Sequence, residues 1–204
     1  MIDALDEAAA AVRAGEVVVI PTDTVYGLAC DPSSAVAVER IYVIKERPAG
    51  LELTLLAASL ADVEAAVELD DTARRLAARF WPGPLSIVAP VGRRRLAIPR
   101  GGSTLSTRVP NHTVLLDLLS RTGPLATTSA NRHGAPAAID ADGARAALGG
   151  AVVIVLDGGP AAGLASTIID CSRTPPEVLR EGPISTADLV PSAPIQTTMR
   201  YDAG

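Results

Sequence analysis

Residues 16–31 read EVVVIPTDTVYGLACD, and the parsing of this stretch decides the fold. Glu16 to Ile20 is a β-branched run closed by Pro21, the signature of a short buried strand. Pro21 to Asp31 turns from polar to apolar and reads as a loop hung on the end of that strand. Upstream, Asp3 to Ala14 is Ala-rich with acids in its first turn and Gly15 beyond it, a helix with a natural stop. Downstream, a helix is expected from Ser33 to about Lys45, with Ser33 as N-cap and Val36, Ile41 and Ile44 on its inner face.

The alternation continues outward. Strands are expected at Leu53–Ala57, Leu85–Val91, Leu105–Val109, Leu125–Thr128 and Val152–Leu156, with short ones at Ser166–Asp170 and Val178–Arg180. Helices are expected at Leu60–Leu69, Thr72–Phe80, Thr113–Leu119 and Asp140–Leu148. Trp81-Pro82-Gly83-Pro84 ends one of them. Arg93-Arg94-Arg95 reads as a solvated loop, and residues 191–204 as a flexible C-terminal tail. Helices interleaved with strands, some joined too briefly for parallel crossovers, predict an α/β fold on a mixed sheet in one domain over residues 1–190.

Composition narrows the function. The chain has 204 residues, 48% of them hydrophobic and 20% charged, so a large core is available and global disorder is excluded. Aromatics are only 2%, which leaves Ala, Val, Leu and Ile to build that core and removes the stacking platform of single-strand readers. A net charge of -5 argues against a bulk nucleic-acid binder. No apolar run approaches the ~18 residues of a membrane span, and the acidic N-terminus is unlike a signal peptide. The chain reads as cytoplasmic, with no membrane partner. Cys30, Cys171, His112 and His133 lack metal-ligand spacing, so no metal site is expected and both thiols read as buried and reduced.

Common phosphate-binding signatures are missing: there is no GxxxxGK[ST], no GxGxxG after a strand, and no GxSxG elbow. What remains is a series of hydroxyl, amide and cationic residues at or near strand ends. Thr22, Asp23, Thr24 and Tyr26 follow the first strand, and Lys45 (the chain's single lysine) and Arg47 close the next helix. Thr104, Ser106 and Arg108 lie along a strand, Ser106 and Arg108 on one face. Thr127, Ser129 and Asn131 alternate through TTSAN, Ser166 and Thr167 open STIID, and Arg180 ends VLR. Lys45, Arg47, Arg108 and Arg180 together suit a triphosphate plus a carboxylate. Each also has an ordinary structural explanation: a helix dipole for Lys45 and Arg47, a core acid for Arg108.

PTDTVYGLACD, the K-x-R of Lys45-Glu46-Arg47, FWPGPLSIV, STRVP, TSAN, STIID and LREG occur in the order found in the YrdC/Sua5 family, which the chain resembles over about residues 5–190. The resemblance implies a twisted mixed sheet with flanking helices and a concave positive groove. It implies a single-domain threonylcarbamoyl-AMP synthase that condenses L-threonine, bicarbonate and ATP, releasing pyrophosphate, for modification of adenosine 37 in tRNA. Downstream transfer proteins of the TsaD/TsaB/TsaE kind would take the product, with tRNA engaged only weakly or indirectly. Matched by position, Thr24, Leu56, Arg108, Thr127 and Ser166 would surround threonine. Lys45, Arg47, Thr104, Ser129 and Arg180 would contact ATP, and Lys45, Arg47, Ser129 and Asn131 would form the catalytic set. Mg²⁺ would arrive with ATP, since the chain offers no carboxylate cage of its own.

The sequence departs from the family at Leu51-Glu52-Leu53, where a Lys- or Asn-Pro-Leu triplet is usual. That change leaves open a paralogue acting on another carbamoyl-adenylate, and a basic groove leaves open a non-catalytic RNA-binding module. On the sequence alone, Lys45→Ala or Arg47→Ala is expected to cut adenylate formation at least ~10²-fold while barely moving the melting temperature.

Overall fold

The computed structural model describes residues 3–46, 52–93, 96–98, 103–152, 154–189 and 196–197. Arg47, Leu51, Arg94, Arg95 and most of the tail lie outside them. In chain order the elements are α1 (Ala4–Arg13), β1 (Val18–Ile20), β2 (Gly27–Cys30), α2 (Ala35–Lys45), β3 (Thr54–Leu56), α3 (Leu60–Glu64), α4 (Asp71–Phe80), β4 (Leu85–Pro90) and β5 (Thr104–Arg108). They continue with α5 (Thr113–Thr122), β6 (Leu125–Ser129), α6 (Ala141–Leu148), β7 (Thr167–Asp170), β8 (Glu177–Arg180), α7 (Thr186–Leu189) and β9 (Gln196–Thr197).

The strands form one mixed sheet in the order β1-β2-β6-β3-β5-β4-β7-β8-β9. Pairing is parallel for β3 with β5, β4 with β7 and β8 with β9, and antiparallel elsewhere. The mixed α/β fold expected from the sequence is the fold found. Several local readings are corrected. Gly27–Cys30 is a strand, paired with β1 and β6, and not part of a loop: its neighbours supply what its weak intrinsic propensity does not. Ser34, not Ser33, caps α2 by accepting from Ala37 N at 3.2 Å, while Ser33 bonds to Asp31. Val36 is 74% exposed, and the buried stripe of α2 runs through Ala37, Val38, Ile41, Tyr42, Ile44 and Lys45. Of the segment expected as a strand at 152–156, the described residues bridge the edge of β1, through Val19 N to Ile154 O and Leu156 N to Val19 O, each 2.9 Å. The segment read as a tail contributes the two residues of β9.

The two faces of the sheet differ, and that difference makes the site. Leu28, Cys30, Leu55, Ile87, Ala89, Leu105, Ala126 and Ile169 point to one face and join the apolar residues of α2 and α4 in the larger core. On the other face Val18, Ile20, Ala29, Leu56 and Leu125 pack beneath α1 and α5 in a smaller cluster. The rest of that second face carries hydroxyls and guanidinium groups beside Val88, Ile168 and Asp170.

Candidate functional site

Register alone assembles a polar strip on the second face. Thr127 of β6 stands opposite Thr54 of β3, and the Thr54 hydroxyl lies 3.1 Å from that of Ser106 on β5. Ser106 pairs with Val88 of β4, so Ser86, two residues earlier on β4, shares its face. Ser86 pairs with Ile168 of β7, which pairs with Arg180 of β8. Six adjacent strands therefore each give a polar side chain to one band, Ser166 standing for β7 from the position just before it. These residues do sit at strand ends, as expected: Arg108, Ser129 and Arg180 close β5, β6 and β8, Thr104 opens β5 and Ser166 precedes β7, but the ends are not all carboxyl ends. In a mixed sheet the chain directions alternate, so the common carboxyl edge of an open parallel sheet does not exist, and the band crosses the face instead.

Arg108 sits near the middle of this band and is 4% exposed. Its Nε donates to Gly83 O at 2.8 Å, its Nη1 to Thr24 Oγ1 at 2.9 Å, and its Nη2 to Asp23 Oδ1. Burial pulls its pKa below the ordinary arginine value, and the Asp23 carboxylate pulls the other way. The core acid anticipated as Arg108's structural partner is Asp23, from the PTDT loop. Thr22 shapes that loop: its Oγ1 donates to Val25 O at 2.7 Å and accepts from Thr24 N at 3.0 Å and Val25 N at 3.2 Å. Thr22 thereby places the Thr24 hydroxyl, 2.9 Å from its own, against the guanidinium.

Ser166 joins the next strands. Its hydroxyl lies 2.9 Å from that of Ser86, and its carbonyl accepts from Arg180 Nε at 3.0 Å and Nη2 at 2.8 Å. The backbone behind it is clamped. Thr167 Oγ1 donates to Ile184 O at 2.6 Å and accepts from Gly182 N at 2.9 Å and Ile184 N at 3.1 Å. A Cβ on Gly182 would stand 2.2 Å from Ala165 O, so only glycine permits this approach.

Lys45 arrives from the helix layer on the opposite face and is fully buried. Its ammonium donates to Ser129 O at 2.7 Å, Asn131 O at 2.9 Å and Asn131 Oδ1 at 2.9 Å, with Ser129 Oγ at 3.5 Å. Asn131 in turn donates through Nδ2 to Arg132 O and Ala135 O. Arg132 donates to Ile44 O and pairs with Glu46, and His133 N donates to Lys45 O. The end of α2 and the turn after β6 are thus one unit, with the half-buried Ser129 on its outer surface. Lys45 and Asn131 build this unit from inside.

Of the residues matched by position, Thr24, Arg108, Thr127, Ser129, Ser166 and Arg180 meet on the band or its overlying loop. Thr104, half-buried, extends it along β5 opposite Pro90. Leu56 neighbours Arg108 across the β3–β5 pair but is packed into the cluster beneath α1 and α5. Tyr26 lies apart: its buried hydroxyl donates to Gly159 O at 2.8 Å and accepts from Gly158 N at 3.1 Å, and burial raises its pKa. Arg47 lies outside the described residues. Thr54, Ser86 and Gly182 carried no role in the sequence reading. A serine inside the apolar run Leu85-Ser86-Ile87-Val88 is the signal that would have found Ser86. Cys30 and Cys171 are buried and free, and burial pushes both thiols up to about 12. Among the described residues no helix is long and apolar enough to cross a membrane.

Comparison with known proteins agrees with this architecture. A Mycobacterium leprae protein provisionally named threonylcarbamoyl-AMP synthase is 43% identical over 185 residues, 88% of this chain and 83% of its own. The Pyrococcus abyssi threonylcarbamoyl-AMP synthase is 38% identical over 179 residues, 86% of this chain but 53% of its own. The crystal structure of P. abyssi Sua5 complexed with L-threonine superposes with a TM-score of 0.89 at 34% identity, covering 96% of this chain and 60% of that one. The Sua5/YciO/YrdC family model, described as "Telomere recombination", matches residues 10–182. With its mixed sheet and that match over most of its length, the chain belongs to the Sua5/YciO/YrdC family.

Proposed function

We propose that this chain is a threonylcarbamoyl-AMP synthase, making threonylcarbamoyl-adenylate and pyrophosphate from L-threonine, bicarbonate and ATP. The observation that carries the reading is the band itself: a buried guanidinium with donors to spare, flanked by hydroxyls from neighbouring strands. Arg108 has five N–H donors and spends three of them internally, on Gly83, Thr24 and Asp23. The remaining two suit an amino-acid carboxylate. Threonine's ammonium group and bicarbonate give a carbamate, with loss of water and a proton. A carbamate oxygen then attacks the α-phosphorus of ATP, and the bond to the departing pyrophosphate breaks. No protein nucleophile takes part, so catalysis is positioning together with charge stabilisation. Arg180 and Thr104 face the nucleotide in this reading, Arg47 is assigned to it from the sequence alone, and Ser129 is presented to it on the unit that Lys45 holds.

Mg²⁺ enters as part of the ATP complex. Among the described residues no three His, Cys, Asp or Glu side chains cluster to hold an ion of their own. The adenylate passes to downstream transfer proteins that modify tRNA. The purified protein with ATP, bicarbonate and Mg²⁺ is expected to release pyrophosphate only when L-threonine is added. Release without threonine, or none with it, rejects the assignment.

A further inference from the structure

We propose that Asp23 is the residue that reads the ammonium of the amino-acid substrate, as the counterpart of Arg108, which reads its carboxylate. This rests on the threonine reading above and goes beyond it by naming how a zwitterion is told from a simple acid.

The Asp23–Arg108 ion pair is nearly closed to solvent, with side chains 15% and 5% exposed. A pair so placed adds little net stability, because desolvating both charges offsets most of their attraction. Neutral acceptors would orient the guanidinium as well, as Gly83 O does for Nε. The acid also carries a cost for the proposed chemistry. It occupies a donor of Arg108 and sets a negative charge where a carboxylate must enter.

That cost becomes an advantage if the ligand carries a cation one carbon away from its carboxylate. An α-amino acid then completes an alternating square: guanidinium, ligand carboxylate, ligand ammonium, Asp23 carboxylate. The atoms suit this. Asp23 accepts from Arg108 through Oδ1 alone, and among the described residues no bond to Oδ2 is found. The other groups in direct contact with Arg108, Thr24 and Gly83, are neutral, so Asp23 supplies the negative charge for an ammonium there. Thr22 fixes the backbone on both sides of Asp23, which makes its position a property of the folded loop. A carboxylate without an amine meets Asp23 with nothing to offset the repulsion and is rejected.

The test compares L-threonine with 3-hydroxybutanoate, which keeps the carboxylate and hydroxyl and lacks the amine, by calorimetry on the full chain. The wild-type protein is expected to bind L-threonine at least about tenfold more tightly. Asp23→Asn is expected to lose about tenfold or more in L-threonine affinity while 3-hydroxybutanoate binding holds or improves, with the KM for threonine rising and that for ATP unmoved. Asp23→Glu, which keeps the charge, is expected to retain the preference. Equal losses for both ligands in Asp23→Asn would mean that Asp23 only orients Arg108, and would overturn the proposal. So would a wild-type protein that binds the two ligands equally, a result that needs no variant to fold. A wild-type protein that binds neither ligand rejects the threonine reading itself.

Discussion

Lys45 is the residue at which sequence and structure give different expectations. As the lone lysine at the end of a helix, in a K-x-R pattern, it reads as a phosphate contact whose loss would spare stability. In the fold its ammonium is fully buried and answered by three oxygens of Ser129 and Asn131. Removing it strands those acceptors without water. Lys45→Ala is therefore expected to cost about 3 kcal/mol of stability. At roughly 2–4 °C per kcal/mol for a chain of this size, that lowers the melting temperature by about 10 °C. A thermal melt unchanged from wild type would place the ammonium outside this cage. Arg108 was legible as a site residue from its alternation with Ser106. Its acid partner was not, because Asp23 is 85 residues away in sequence and only the folded PTDT loop brings it close.

At the scale of elements, long β-branched and periodic segments were readable: β1, α1, α4, β4 and α5 fall within a residue or a few of their expected bounds. What failed were elements that neighbours define. β2 is four residues without β-branching, a strand only because β1 and β6 hydrogen-bond both of its edges. The clamp behind Ser166 was equally hidden, since it depends on two segments 15 residues apart touching at Gly182 and Thr167. Gly182→Ala is expected to push the Ala165–Thr167 backbone away, cost about 1–3 kcal/mol, and raise the KM for threonine several-fold by displacing Ser166. Melting curves and threonine titrations of initial rate check both halves. A variant with wild-type stability and KM would show that the loop yields without moving the band.

At the scale of the whole molecule, the acidic chain gathers the Arg108 guanidinium and a row of hydroxyls on the half of one sheet face that α1 and α5 leave uncovered, while α2 and α4 bury the opposite face. The mixed fold class was readable from the alternation of elements. The strand order was not: it places β6 between β2 and β3, and β7 beside β4, through pairings distant in sequence. That order is what turns scattered motifs into one band. The account stands on this band bringing threonine, carbamate and nucleotide together in a single reaction. Mass spectrometry of the adenylate formed from ATP, L-threonine and ¹³C-bicarbonate with Mg²⁺ tests this most directly. The account predicts a threonylcarbamoyl-adenylate carrying one ¹³C, formed in step with pyrophosphate. An adenylate without the label, or pyrophosphate released with no threonine in the product, would contradict it.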